Sequence, residues 1–389
     1  MSTQNPVFIP GPTNIPEVIR KACDIPTMDH RSPAFGRILA PALSGVRTVL
    51  GMSEGEVIIF PATGTAGWEG AVANTLSPGD KVLSGCHGMF SQRWIELCQR
   101  HGLDVHVINS PWSEGVPMAE FESALSADTA HAIKAVLVTH NETATGVMSD
   151  VAAVRALLNR LGHPALLMVD GVSSIGSVAF DMDGWGVDIA VTGSQKGFML
   201  PPGLAIVGVG PKALAAMEGA KLTRGFLHFG DMIAAYRNGS YPYTPSAGLI
   251  NGLNVAMQML LDEGLENVYA RHARIAEGVR QAVFAWGMTP CAARPELYSN
   301  TVTAVAVPEG FNGSDVVALA ATKYGVAFGA GLGAVAGKVF RIGHLGMLTD
   351  VMALSGIATA EMCMADLGFP IKLGSGVAAA QEYYRTTAS

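Results

Sequence analysis

The chain has 389 residues, with 25 Lys and Arg against 32 Asp and Glu, and its net charge of −7 excludes the basic excess that neutralising nucleic-acid phosphates requires. A hydrophobic fraction of 49% with 21 prolines excludes disorder, and at this length two domains around a large core are expected. Two oddities call for a reason: only 15% of residues are charged, against roughly 25% in ordinary soluble domains, and 46 are glycine.

The first residues, Met1-Ser2-Thr3-Gln4-Asn5-Pro6, lack the basic and apolar regions of a secretory signal, so export is not expected. Short β-branched runs at 57–60, 81–84, 105–108, 135–139, 166–170, 189–192 and 204–209 then read as buried strands. Helical patterns lie between them; 150–161, for example, sets Val151, Val154, Leu157, Leu158 and Leu161 on one face. Such alternation specifies an α/β fold with a mostly parallel seven-stranded sheet covered on both faces, in which ligands bind at the carboxyl ends of strands.

After Pro245 the texture changes. Residues 246–263 are rich in Leu, Met and Ala, and 266–286 places Val268, His272, Ile275, Val279, Ala282, Val283 and Trp286 on one stripe, as long helices linking two lobes would. Strand-like runs at 301–307 and 339–342 and a helix at 350–367 describe a smaller C-terminal α+β domain. The resulting division is an N-terminal arm at 1–20, a large domain at 21–262 and a small domain at 263–389. No apolar run approaches the roughly 18 residues that span a bilayer. The five cysteines, Cys23, Cys86, Cys98, Cys291 and Cys363, form no CxxC pair and read as buried, reduced apolar residues; no metal site is expected.

Three strand ends carry chemistry. The 166–170 run ends in Asp170-Gly171-Val172-Ser173-Ser174, the 189–192 run leads into Gly193-Ser194-Gln195-Lys196, and the 135–139 run into His140-Asn141-Glu142-Thr143. An Asp and a Lys at the ends of successive strands converge on one crevice. That pairing suits pyridoxal phosphate, which needs a lysine amine for a Schiff base and an anion beside its ring nitrogen so that the ring can accept electrons. Upstream, the 57–60 strand runs into Pro61-Ala62-Thr63-Gly64-Thr65 and a helix, a turn that offers free N–H groups and hydroxyls to a phosphate. Each feature also has a plain structural use: Asp in a turn or N-cap, Lys as a solvated side chain, Thr-Gly-Thr as a helix cap.

Together with Pro10-Gly11-Pro12-Thr13, His140-Asn141-Glu142-Thr143-Ala144-Thr145-Gly146, Tyr243-Thr244-Pro245 and Lys338-Val339-Phe340-Arg341-Ile342-Gly343-His344, these strings resemble class V pyridoxal-phosphate aminotransferases of fold type I. The resemblance runs from about residue 7 to about residue 384 and is closest to the serine-glyoxylate and aspartate-glyoxylate aminotransferases. It implies that Lys196 holds the cofactor, that Asp170 meets its pyridine nitrogen, and that Thr63, Gly64, Thr65 and Gln195 hold its phosphate. It further implies that Thr143 lies near the ring oxygen and that Phe90 stacks on the ring, although an aromatic at a helix start is by itself an ordinary core residue. By the same resemblance Tyr241 and Thr244 reach the phosphate of a partner subunit, making a homodimer the minimum active unit, and Arg341 grips the substrate α-carboxylate. A planar guanidinium paired with a carboxylate gives that last role its own logic.

The implied activity is ping-pong transfer of an amino group from a small L-amino acid to glyoxylate, giving glycine. L-aspartate is the favoured donor, L-serine the next, and alanine a further alternative. An aspartate side chain needs a second cation, for which His30, Arg31 and Arg224 are candidates. Among rivals, the GxGxxA string at 331–336 lacks a βαβ setting for a dinucleotide, and a P-loop at Gly337-Lys338 fails on Leu332 and Val339. A cysteine desulfurase or other class V lyase would need a reactive Cys on a mobile loop, and a non-catalytic protein of this fold would be expected to have lost Lys196 or Asp170. Thr387-Ala388-Ser389 does not resemble the peroxisomal SKL address, so a cytoplasmic location is expected. The glycines are expected at close approaches around the site, with Gly11 in a segment lying over a neighbouring subunit, and the low charge is expected to reflect an extensive subunit interface.

Overall fold

The computed structural model describes residues 6–387. The residues behind the readings of export and of a terminal address, 1–5 and 388–389, therefore lie outside the described residues. Seven strands form the central sheet in the order Glu56–Phe60, Ala205–Val209, Ile189–Gly193, Leu166–Asp170, Ile133–Thr139, Lys81–Cys86 and Asp104–Asn109. All run one way except Ala205–Val209, which is antiparallel to both neighbours. Every residue of Leu166–Asp170, Ile189–Gly193 and Ala205–Val209 is buried, which is why they read as continuous apolar runs and not as alternating ones. The edge strand Asp104–Asn109 is half-exposed and carries Asp104, His106 and Asn109.

Helices cover the sheet. The 12-residue Gly64–Thr75 helix lies against Ile189–Gly193 and Ala205–Val209 so closely that a Cβ added at Gly67 would fall 2.5 Å from Val191 Cγ1. Val151–Arg160 starts at Asp150, whose side chain accepts the Ala153 N–H at 2.8 Å as an N-cap. The two long helices expected after Pro245 are Ala247–Glu263 and Leu265–Ala285, which turn about Gly264 at φ 83°. Along the second of them Val268 packs in the core of the large sheet, whereas Ile275, Val279, Ala282, Val283 and Trp286 pack in the second core. The expected stripe is thus buried along its length while it passes from one core to the other.

The second core backs a five-stranded sheet in the order Val7–Phe8, Ala327–Ala330, Val339–Gly343, Val302–Ala306 and Thr289–Pro290. Helices Asp350–Asp366 and Ser375–Thr386 pack beside it, the latter against Leu265–Ala285. Two of these strands and the Asp350 helix match the sequence reading. The Val7–Phe8 strand does not; it pairs in parallel with Ala327 and Phe328, tying the N-terminal segment to the C-terminal sheet. All five cysteines are free, but only Cys98 and Cys363 are buried; Cys23, Cys86 and Cys291 are half-buried, correcting the expectation for those three. Among the described residues no helix is long and apolar enough to cross a membrane.

The fit of Gly67 against Val191 gives a stability test. Gly67→Ala should destabilise the protein by about 1–3 kcal/mol, because neither the helix nor the buried strand can yield without repacking. Denaturant unfolding of the cofactor-free protein measures it.

Candidate active site

Parallel pairing of Leu166–Asp170 with Ile189–Gly193 puts Asp170 opposite Val191, so the segments leaving both strands emerge side by side at the same end of the sheet. The second segment is fixed by Ser194, whose N–H donates to Leu204 O at 3.0 Å and whose Oγ donates to Pro201 O at 2.7 Å. Met199, at φ 57°, donates its N–H to the carbonyl of Lys196 at 3.0 Å. A non-glycine residue in that region carries strain of about 1–2 kcal/mol, which the surrounding hydrogen bonds hold in place. Lys196 is thereby presented to a cavity of about 200 Å³.

Thr63, Gly64, Thr65, Phe90, Thr143, Asp170, Gln195 and Lys196 all line that cavity, with Trp68, Val172, Gly11, Pro12 and Pro202. Thr63 is the extended N-cap of the Gly64–Thr75 helix, yet its side chain makes no cap hydrogen bond. The hydroxyl and the first N–H groups of the helix are therefore available to an anion. Gln195 Oε1 is buried without a hydrogen-bond partner. Thr143 Oγ1 donates to Ser173 Oγ at 2.6 Å, and Ser173 in turn bonds both ends of Asn141.

The charges here are held out of water. Asp170 accepts the Val172 N–H at 3.0 Å, but burial dominates and pushes its pKa up to about 7, with the nearby Glu142 acting in the same direction. Lys196 donates to the carbonyl of Pro10, and burial, reinforced by Arg341 and opposed by Asp170, lowers its pKa to about 8. Arg341, on Val339–Gly343, is 7% exposed; its Nε donates to Ala330 O at 2.9 Å and its Nη1 to Thr143 O at 3.0 Å. Burial lowers it to about 10, and Glu142 supports its charge.

Several expected residues stand elsewhere. Arg341 is joined to the site through Thr143 and does not itself line the cavity. Tyr241 is buried and its hydroxyl donates to the carbonyl of Ile59 in its own chain, and Thr244, three residues on, is exposed. A Cβ at Gly11 would fall 2.5 Å from Cδ of the same chain's Lys196, so its segment covers its own lysine. His30 is half-buried, Arg31 exposed, and Arg224 donates to Ala73 O and Ala220 O; none lines the cavity. Glu142 was given no role in the sequence reading, yet it is fully buried between the buried Asn141 and Thr143, and no local pattern in the sequence announces that.

A larger groove of about 1130 Å³ lies between Leu265–Ala285 and the start of Asp350–Asp366. Its arginines are already satisfied, Arg271 by Glu263, Arg274 by Asp350 and Arg280 by Glu277, so the chemistry belongs to the smaller cavity. Among the described residues no three His, Cys, Asp or Glu side chains stand together as a metal site would require.

The family description "Aminotransferase class-V" matches residues 21–348. The chain is 67% identical over 387 residues to L-aspartate--glyoxylate aminotransferase of Paracoccus denitrificans, covering 100% of this chain and 98% of that protein. It is 51% identical to serine--glyoxylate aminotransferase of Hyphomicrobium methylovorum, with 98% and 95% covered. Among solved structures, pyridoxamine-pyruvate aminotransferase from Mesorhizobium loti superposes with a TM-score of 0.92 at 31% identity, covering 99% of this chain and 98% of that one.

The raised pKa of Asp170 has a sign that can be checked. Its neutral form is favoured in the fold, so its contribution to stability is present below the ordinary value of 3.8 and is lost as pH rises to about 7. In cofactor-free protein, Asp170→Asn should remove that loss, gaining up to about 4 kcal/mol on wild type between pH 4 and pH 7. Unfolding curves of both proteins across that range decide it.

Proposed function

The chain belongs to the class V aminotransferase family, and from that premise we propose that it binds pyridoxal 5'-phosphate in the Lys196 cavity and transfers the amino group of L-aspartate to glyoxylate. The observation carrying the reading is the convergence of Lys196, Asp170 and the Thr63-Gly64-Thr65 helix start on one small cavity. The residues fit the cofactor: an amine of lowered pKa, a buried carboxyl and an uncapped helix N-terminus. Identity to a relative named for aspartate favours that donor, and the serine-glyoxylate relatives keep L-serine as a second reading. None of the five cysteines lines the cavity, which disfavours a desulfurase.

Bound pyridoxal phosphate supplies an electrophilic carbon and a ring that withdraws electrons from the substrate α-carbon. The protein groups do the rest. Thr63, Gly64, Thr65 and Gln195 would hold the phosphate, Phe90 and Thr143 would bound the ring, and Asp170 would stand by its nitrogen. Lys196, poised near pH 8, can release and accept a proton at Nζ, as a general base and acid at the α-carbon must. Two of Arg341's five N–H groups are held by Ala330 and Thr143, and others remain to clasp a carboxylate in a fixed orientation.

The segments divide the work: the part at 21–262 holds the cofactor, the part at 263–389 brings Arg341, and the arm at 1–20 covers Lys196. We include a homodimer in the reading, since Phe226 is 47% exposed and stacks on Tyr243 at 5.0 Å beside the exposed Thr244, an aromatic surface suited to a second subunit. Five unpaired cysteines support a reducing compartment such as the cytoplasm.

Glycine formation from glyoxylate should be fastest with L-aspartate when aspartate, serine and alanine are supplied in turn; faster turnover with serine overturns the donor assignment. Lys196→Ala should abolish both transamination and the visible absorbance of the purified protein. Light scattering should return twice the chain mass.

A further inference from the structure

The chemistry just set out leaves unused a buried carboxyl that stands beside the cavity. Glu142 is fully buried, and its Oε2 accepts N–H bonds from Phe90 at 3.0 Å and Ser91 at 3.1 Å while its Oε1 accepts from Ala144 at 3.1 Å. Phe90 and Ser91 belong to the first turn of Met89–Arg100, whose N-cap, Gly88, has no side chain with which to cap it. The helix is therefore capped across space, by a carboxylate that also favours the positive end of its dipole. Ala144 lies on the other side of Thr143, so one carboxylate grips the backbone of two segments whose side chains, Phe90 and Thr143, line the cavity.

Gly88 supplies an independent sign of this arrangement. Its φ of 177° is extended backbone open to any residue, yet a Cβ there would run into the carboxyl group of Glu142. The glycine is required by the position of the carboxylate and not by the chain's own conformation. Arg341 completes the set, since its Nη1 donates to Thr143 O of the same loop at 3.0 Å.

We propose that Glu142 is a positioning residue that holds Phe90 and Thr143 against the cofactor and, through the Thr143 carbonyl, keeps Arg341 in place for the substrate carboxylate. The proposal rests on the cofactor reading above. Gln at this position keeps the size but has one acceptor oxygen where the carboxylate has two, so an NH₂ meets the N–H donors on one side of the grip and the charge is lost.

The test compares wild type, Glu142→Gln, Glu142→Ala, Gly88→Ala and the Glu142→Ala, Gly88→Ala double variant, each loaded with pyridoxal phosphate. Folding is followed by far-ultraviolet circular dichroism, the cofactor by its visible dichroic band and Kd, and the substrate by the separation of KM from kcat. Glu142→Gln should fold, lose about half or more of the visible band, and raise cofactor Kd and donor KM about tenfold, with a smaller change in kcat. Gly88→Ala should do the same in wild type and nothing further in the Glu142→Ala background, where the added methyl has room. A folded Glu142→Gln with the wild-type band and KM overturns the proposal, as does a Gly88→Ala defect undiminished by Glu142→Ala. If Glu142→Gln does not fold, a wild-type-like Gly88→Ala overturns it. A wild-type protein without a visible band defeats the cofactor reading and this proposal together, whereas a normal wild type with unchanged variants defeats this proposal alone.

Discussion

The site depends on keeping charged groups in an almost dry place. Asp170, Lys196, Arg341 and Glu142 are all at most 9% exposed, and burial is the largest influence on the proton affinity of each. Ions so placed cost several kcal/mol apiece unless neighbours compensate them. The compensation is distributed: Asp170 and Lys196 support one another, Glu142 supports Arg341 and is itself held by three backbone N–H donors, and carbonyls of Ala330, Thr143 and Pro10 accept from the cations. The sheet register provides the rigidity that this requires, because adjacent parallel strands end together and deliver both members of the first pair at once.

Much of this was legible in the sequence wherever burial produced a local pattern. The inner strands of the central sheet showed because both of their faces are covered, and the Leu265–Ala285 helix showed because its buried stripe runs through two cores. Asp170 and Lys196 were legible as strand-ending residues. What stayed hidden depends on partners far away in the chain. Val7–Phe8 is two residues long and becomes a strand only by pairing with Ala327 and Phe328, which no local period announces. The intrachain bond of Tyr241 was hidden too, because a sequence motif carries no information on which way a side chain turns, and here Ile59 O accepts from the hydroxyl. Glu142 was visible as a letter but not as a cap, since the helix it serves begins 53 residues earlier, at Met89.

The abundance of glycine now has a physical account at particular places. Gly11, Gly67 and Gly88 are each close to a group whose position a methyl would displace: the lysine chain, a buried valine and a buried carboxylate. Gly11 and Tyr241 both make close contacts within their own chain, to Lys196 and to Ile59.

The N-terminal strand also sets an order of assembly. Its hydrogen-bonding partner lies 320 residues downstream, so during synthesis at about 5–20 residues per second Val7 and Phe8 wait on the order of tens of seconds before Ala327 and Phe328 exist. Pro10 and Gly11 hang from that strand, and they are the cover over Lys196. The amine therefore stays uncovered until nearly the whole polypeptide has been made, and closing the ends of the chain onto each other is among the last and least local steps of folding.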